Sequence, residues 1–236
     1  MGFMIQHHDL IEAGQQQGYV THHVNFRVIE KKETILSPNF TNGYSKIIRF
    51  IDIFFSVILF FIFILMVPLV FIANAILSTG PLFYRQTRVG KKGRHFTILK
   101  FRSMKIDSEP DGVARFTSKN DERITPVGSF LRKTRIDELP QVINILRGEM
   151  TLIGPRPERP EFVTEFIRKE PDYELRSLVK PGITGWGQVK YRYTSTLEDG
   201  LKKLEYDLHF IKNRNFSMDF DIICRTIVTV ISRSGT

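Results

Sequence analysis

Cysteine is nearly missing from this chain. The single Cys224 excludes an intrachain disulfide and fits a reducing compartment. No signal peptide is expected, because the first apolar run begins near position 50, behind a polar, His-containing segment. Internal repeats and low-complexity tracts are absent as well. Four His (His7, His8, His22, His23) cluster early, but their spacing matches no zinc pattern and no Cys accompanies them. They read as solvated or structural residues.

What the chain has in excess is positive charge and phenylalanine: a formal net charge of +9 and 20 Phe in 236 residues. A basic protein is drawn to nucleic acid, anionic lipid or phosphorylated substrates, and charge alone does not choose among them. Here the cations are scattered among hydrophobic segments and form no nucleic-acid reader motif, so nucleic acid is not an expected partner.

From Ile53 to Leu77 about 25 residues carry no charge, enough by the ~20-residue criterion to cross a bilayer. Pro68 lies inside this run and lacks the N–H of an uninterrupted helix. It divides the run into parts of roughly 15 and 9 residues, each too short to span ~30 Å. Both flanks are basic: Lys31, Lys32, Lys46 and Arg49 before, Arg85, Arg88, Lys91, Lys92 and Arg94 after. A spanning helix normally shows such an excess on one side only. A re-entrant helix broken at Pro68, with both flanks cytoplasmic, is therefore expected over a simple span. Near the C-terminus, Phe220, Ile223, Ile227, Val230 and Ile231 follow helical spacing beside Cys224, with Arg225 and Arg233 nearby. This pattern suits either a helix packed on the core or one lying among headgroups.

Between these segments the pattern predicts a β-hairpin, Leu82–Arg88 with His95–Phe101, around a basic turn. A helix is expected over Pro126–Thr134 with Thr125 as N-cap, and another from Pro140. Val163–Arg168 and Leu201–Asn213 are further helix candidates. Gly154-Pro155-Arg156-Pro157-Glu158-Arg159-Pro160 must be an extended loop, and Lys180 to Gly187 reads as a Gly/Pro loop.

The chemistry centres on Asp137 and Glu138, just before the helix expected at Pro140. Taken alone, two acids there serve to start a helix. Their context adds Arg132 and Arg135 before them, Arg156 in a proline-stiffened loop, and Lys100 and Arg102 at a strand end. Guanidinium groups suit a diphosphate, and one or two carboxylates with substrate phosphates suit Mg²⁺.

The ordered motifs Lys100-Phe101-Arg102-Ser103-Met104, Arg132 with Asp137-Glu138-Leu139-Pro140-Gln141, Gly154-Pro155-Arg156-Pro157 and Lys180-Pro181-Gly182-Ile183-Thr184-Gly185 resemble those of the bacterial sugar transferases, the monotopic polyprenol-phosphate phosphoglycosyl transferases. The resemblance covers roughly residues 45–230. It implies transfer of a sugar-1-phosphate from a UDP-sugar to polyprenyl phosphate, with Asp137 as nucleophile and UMP released. It gives Glu138 a role in binding Mg²⁺ or orienting Asp137, makes Arg156 a phosphate ligand, and lines the site with Lys100, Arg102 and Arg132. It further implies work at the cytoplasmic face of a bacterial inner membrane, and it allows a homodimer. The run from Arg156 to Phe162 leans toward enzymes that begin exopolysaccharide or O-antigen assembly with a hexose-1-phosphate.

The expected fold class is α+β, mainly helical, combining a re-entrant membrane helix, a small β-hairpin, a compact cytosolic catalytic domain and interfacial amphipathic helices. Residues 1–45 form an extension, 46–79 the membrane helix and 80–236 the catalytic domain. Two other functions use the same residues: a membrane-bound Mg²⁺-dependent phosphodiesterase, and a non-enzymatic scaffold for anionic lipid.

Overall fold

The computed structural model describes residues 42–232 apart from 79, 119 and 192–195. The early His cluster, Lys31, Lys32 and Arg233 lie outside the described residues. In chain order the elements are α1 (Asn42–Leu77), β1 (Phe83–Val89), β2 (His95–Phe101), α2 (Pro126–Thr134), a 3₁₀ turn (Ile136–Gln141), α3 (Val142–Leu146), β3 (Thr151–Ile153), α4 (Pro160–Lys169), a 3₁₀ stretch (Pro171–Leu178), β4 (Gly182–Thr184), α5 (Trp186–Lys190), α6 (Leu197–Asn213) and α7 (Phe216–Ile231). The class is as expected: mainly helical, with small sheets. The first helix starts at Asn42, so the expected boundary at 45/46 falls inside it.

α1 is long and apolar enough to cross a membrane. At 36 residues it extends about 54 Å. α1 runs as one continuous helical element with Pro68 inside it. Proline removes one N–H and leaves the Ile64 carbonyl without its helical donor. Packing on both sides compensates, because Phe63 and Val70 are buried in a single cluster with Phe101, Val127, Leu131 and Val142. The ring of Phe63 lies 5.7 Å from that of Phe101.

One face of α1 is buried from Asp52 through Ser56, Phe63 and Val70 to Asn74, while Phe61, Leu65, Leu69, Phe71 and Ile76 stay exposed. Polar clasps fix both ends. Tyr44 donates to Asp219 on α7 at 2.8 Å. Arg49 donates to the carbonyls of Ile145 and Leu146 at 2.6 and 2.9 Å, closing the C-terminal end of α3. Asp52 accepts from the Thr151 hydroxyl and from the Leu152 amide at 2.9 Å. Past the other end of α1, Arg102 donates to the carbonyls of Ser78 at 2.7 Å and Pro81 at 2.6 Å.

β1 and β2 form the expected antiparallel hairpin, with Tyr84 opposite Lys100. The region from Lys180 to Gly187 holds more structure than a loop. β4 pairs in parallel with β3, and α5 begins at Trp186. Three-residue strands of this kind carry no period-2 signature for a sequence to show. Glycine makes their crossing feasible: a Cβ on Gly182 would lie 2.1 Å from the Gly154 amide nitrogen, and one on Gly185 2.2 Å from the Gly154 oxygen. α7 buries Asp219 and Ile222 and leaves Phe220, Ile223, Ile227, Val230 and Ile231 exposed. The apolar face read from the sequence therefore points away from the core.

Candidate active site

Thr125 caps α2 by accepting from the Gly128 amide at 2.9 Å. A side chain at Gly128 would strike the Ser103 carbonyl at 1.9 Å, so α2 sits directly against the end of the β-hairpin. α2 stops at Arg135, whose φ of 60° turns the chain into the 3₁₀ segment. Asp137 and Glu138 lie within that turn, which corrects the expectation that they precede a helix starting at Pro140. The α-helix proper starts at Val142 because proline at 140 is accommodated in the tighter turn. Asn144 then fastens this region to β2, donating to the Thr97 carbonyl at 2.8 Å and accepting from the Leu99 amide at 3.2 Å. Lys100, one residue further along β2, is thereby held against the acidic pair.

Both carboxylates are buried, each 6 % exposed. Glu138 Oε1 accepts from Lys100 Nζ at 3.1 Å and from Arg156 Nη2 at 2.6 Å. Burial raises the Glu138 pKa, but Arg156 and Lys100 outweigh it and hold the carboxyl well below its usual range. Asp137 moves the other way: burial first, and then the charge of Glu138, pushes it up to about 6. Lys100, Arg132 and Arg156 pull against that rise. Asp137 Oδ1 is buried and has no hydrogen-bond partner.

Arg156 is fixed through its backbone. Consecutive carbonyls of its loop are each held: Pro155 by the Gly182 amide, Arg156 by Arg176, Pro157 by Arg88 and Glu158 by the Val89 amide. Four such bonds and three prolines leave the guanidinium little freedom except along its own side chain. Arg156 also borders a cavity of about 520 Å³ lined by residues including Gly90, Val163 and Tyr173. Asp137, Glu138, Lys100 and Arg132 do not line that cavity, which reaches the charged cluster through Arg156.

The structure thus assembles Asp137, Glu138, Lys100 and Arg156. Arg132 joins them electrostatically, its Nε donating to Ser103 Oγ at 2.9 Å. Arg102 is placed differently: it donates to the main-chain carbonyls of Ser78, Pro81 and Met104 and thus clasps the exit of α1. Gln141 shares a motif with the acidic pair. It is buried, and its Nε2 lacks a partner. Its spacing of four from Asp137 was the signal available. Gln188 Oε1, 3.4 Å from Arg156 Nη1, had no sequence signal pointing to it.

Among the described residues no three His, Cys, Asp or Glu come together as a metal cage. An orphaned, buried Asp137 oxygen beside a second carboxylate fits Mg²⁺ of the kind completed by water and substrate phosphate.

Comparison with known proteins bears on what this cluster does. Residues 43–233 match the family described as bacterial sugar transferase. An Aeromonas hydrophila UDP-N-acetylgalactosamine-undecaprenyl-phosphate N-acetylgalactosaminephosphotransferase is 45% identical over 196 residues, 81% of this chain and 45% of the relative. A UDP-glucose:undecaprenyl-phosphate glucose-1-phosphate transferase of Xanthomonas campestris pv. campestris is 42% identical over 66% of this chain and 33% of its own length. Its Escherichia coli (strain K12) namesake is 44% identical over 64% and 32%. The chain thus spans less than half the length of these three relatives. The match nonetheless takes in α1, the acidic pair and the Arg156 loop, and on that extent the chain belongs to the bacterial sugar transferase family.

Proposed function

We propose that this protein transfers a sugar-1-phosphate from a UDP-sugar to a polyprenyl phosphate through an aspartyl-phosphosugar on Asp137. The observation that carries this reading is the buried, unpartnered Asp137 Oδ1 set among Lys100, Arg132 and Arg156. The names of the relatives support the substrate classes.

In the first step an Asp137 oxygen attacks the sugar-bearing phosphorus, and the bond to the bridging oxygen breaks with its electron pair, so UMP leaves. In the second, an oxygen of polyprenyl phosphate attacks the same phosphorus and the Asp137 carboxylate departs. A covalent route divides one difficult transfer into two easier ones. A pKa near 6 leaves Asp137 mostly ionised at neutral pH while keeping it more basic than a solvated aspartate. Glu138 stays ionised and holds Lys100 and Arg156 toward the phosphates. Bound through Asp137 and Glu138, Mg²⁺ would supply positive charge to the transferring and leaving oxygens.

The membrane geometry supports the same reading. A helix perpendicular to the bilayer would carry one end far from a cytosolic domain, whereas α1 is clasped to the same domain near Tyr44 and Arg49 and again just past Leu77, at Ser78. A re-entrant course, bending at Pro68 and leaving both ends cytoplasmic, satisfies these contacts with the exposed Phe and Leu face in lipid. The outward apolar face of α7 then lies at the headgroup plane. The site would face cytosolic UDP-sugar and membrane-bound acceptor together, at the inner membrane.

For the sugar we propose a hexose, in exopolysaccharide or O-antigen-type assembly. Relatives named for UDP-glucose and for UDP-N-acetylgalactosamine both match, so a UDP-sugar panel read by UMP release decides it. Topology is tested with Cys224 replaced and single cysteines placed near 45 and 90. Labelling of both from the cytoplasmic side is expected, and labelling from opposite faces contradicts the re-entrant course.

A further inference from the structure

The motif from Lys180 to Gly185 has no task in the mechanism above. Its backbone is pressed against the start of the Arg156 loop. The Gly154 amide donates to the Thr184 carbonyl at 2.8 Å, and the Gly182 amide donates to the Pro155 carbonyl at 2.9 Å. Gly185 lies so close that a Cβ there would collide with the Gly154 oxygen. α5 begins directly afterwards, and the Gln188 backbone amide donates back to the Gly185 carbonyl at 3.0 Å. On its other side α5 rests on α6, where a Cβ on Gly187 would collide with the Asp207 carboxylate. Gln188 and Arg156 are therefore fixed relative to each other through the main chain.

Their side chains meet as well. Arg156 Nη1 donates to Gln188 Oε1 at 3.4 Å, while Nη2 donates to Glu138 at 2.6 Å. A guanidinium is planar, so a hold at both terminal nitrogens fixes its plane. A hold at Glu138 alone would leave it free to turn about that contact. The arrangement carries a cost, because Gln188 Nε2 is buried without an acceptor. Turning the amide over gives no relief, since Nη1 is itself a donor and would then face a donor. The remaining N–H groups of Arg156 form no hydrogen bond among the described residues.

We propose that Gln188 is a positioning residue for the transfer: its amide oxygen sets the plane of the Arg156 guanidinium, so that the remaining N–H groups meet a substrate phosphate in a fixed orientation. The segment from Lys180 to Gly185 is the mount that brings Gln188 there. An arginine oriented in advance stabilises phosphate charge without reorganising when substrate arrives. The phosphate ligand rests on the transfer reading above, whereas the contact between Gln188 and Arg156 does not.

The test is a double-mutant cycle on the full chain in detergent micelles, titrated with UDP in the presence of Mg²⁺ and followed by melting temperature. Gln188→Met keeps the length of the side chain and removes both the acceptor and the buried unmatched donor. The unliganded variant is therefore expected to melt at or above the wild type. It should lose about tenfold in apparent affinity for UDP, the worth of a hydrogen bond to a charged group. In an Arg156→Ala background the same change should be silent, leaving the double variant within about twofold of Arg156→Ala. A side chain that only packs α5 would cost the same in both backgrounds. If Gln188→Met melts without a cooperative transition, Gln188→Leu replaces it. If Arg156→Ala no longer responds to UDP, Arg156→Lys replaces it, keeping the charge without the planar fork. Equal losses in the two backgrounds, a Gln188→Met that binds UDP as the wild type does, or a wild type that does not respond to UDP overturns the proposal. A wild type that binds UDP but forms no phosphosugar adduct removes the transfer reading instead and leaves the cycle intact.

Discussion

Arg156 Nη2 lies 2.6 Å from Glu138 Oε1, in a loop whose carbonyls from Pro155 to Glu158 are each bonded to other parts of the fold. The guanidinium is thus positioned before any substrate arrives, which is where preorganised charge is most effective. Arg156→Ala should reduce the rate of transfer roughly 100-fold or more. Because a cation near Asp137 is lost, the Asp137 pKa should rise and the acid limb of the pH–rate profile should move to higher pH. Rates measured from pH 5 to 8 for wild type and variant check both effects.

The pKa of Asp137 has consequences for stability as well as activity. A carboxyl whose folded value, about 6, exceeds its ordinary 3.8 binds more protons when folded. The folded state therefore loses stability as pH rises through that window. Asp137→Asn should abolish transfer and yet stabilise the fold at pH 7 by on the order of 2 kcal/mol, a gain that vanishes below about pH 4. Urea unfolding at the two pH values measures the difference. Greater destabilisation of the variant at pH 7 than at pH 4 contradicts the assignment.

Asp52 joins α1 to β3 through charge-assisted bonds to Thr151 and the Leu152 amide. Asp52→Ala leaves a buried hydroxyl and a buried amide unsatisfied, so a cost of about 2–4 kcal/mol is expected. Membrane association should persist, because the exposed apolar face of α1 is untouched. Flotation with liposomes, together with thermal melting, separates the two. Release from the membrane would contradict the docking role.

Gly128→Ala forces a methyl group onto the Ser103 carbonyl. Neither backbone can yield without moving α2 away from the hairpin, so a loss of roughly 2–3 kcal/mol is expected, with Arg132 displaced from the site. A pulse-proteolysis comparison with Gly112→Ala, whose Cβ would meet nothing within 4 Å, checks the claim. Gly112 has a φ of +68°, so that control carries its own backbone strain and should lose less.

Much of the site was legible because its parts are local in the chain. The adjacent Asp137 and Glu138, the proline-locked Arg156 and the strand-end Lys100 each sit in a short motif. The hairpin and most helices were visible for the same reason. Arg102 was misleading: alternation would set it on the face of its motif neighbour Lys100, which meets Glu138, but β2 ends at Phe101 and Arg102 clasps carbonyls past the end of α1. The β3–β4 pairing was hidden because its strands are three residues long and brought together by backbone contact between Gly154 and Gly182. Pro68 was legible within the apolar run, but the burial of Phe63 and Val70 on either side of it was not. Gln188 was invisible, because a lone glutamine normally reads as solvated and only the tertiary fold sets it against Arg156.

The central claim is the nucleophilic role of Asp137. Purified protein incubated with a UDP-sugar and Mg²⁺, without acceptor, should be digested at low temperature and analysed by mass spectrometry. The account predicts a sugar-phosphate adduct on the peptide containing Asp137, stoichiometric with UMP release and lost on adding polyprenyl phosphate. Turnover without any adduct on Asp137, or transfer that survives Asp137→Asn, would contradict it.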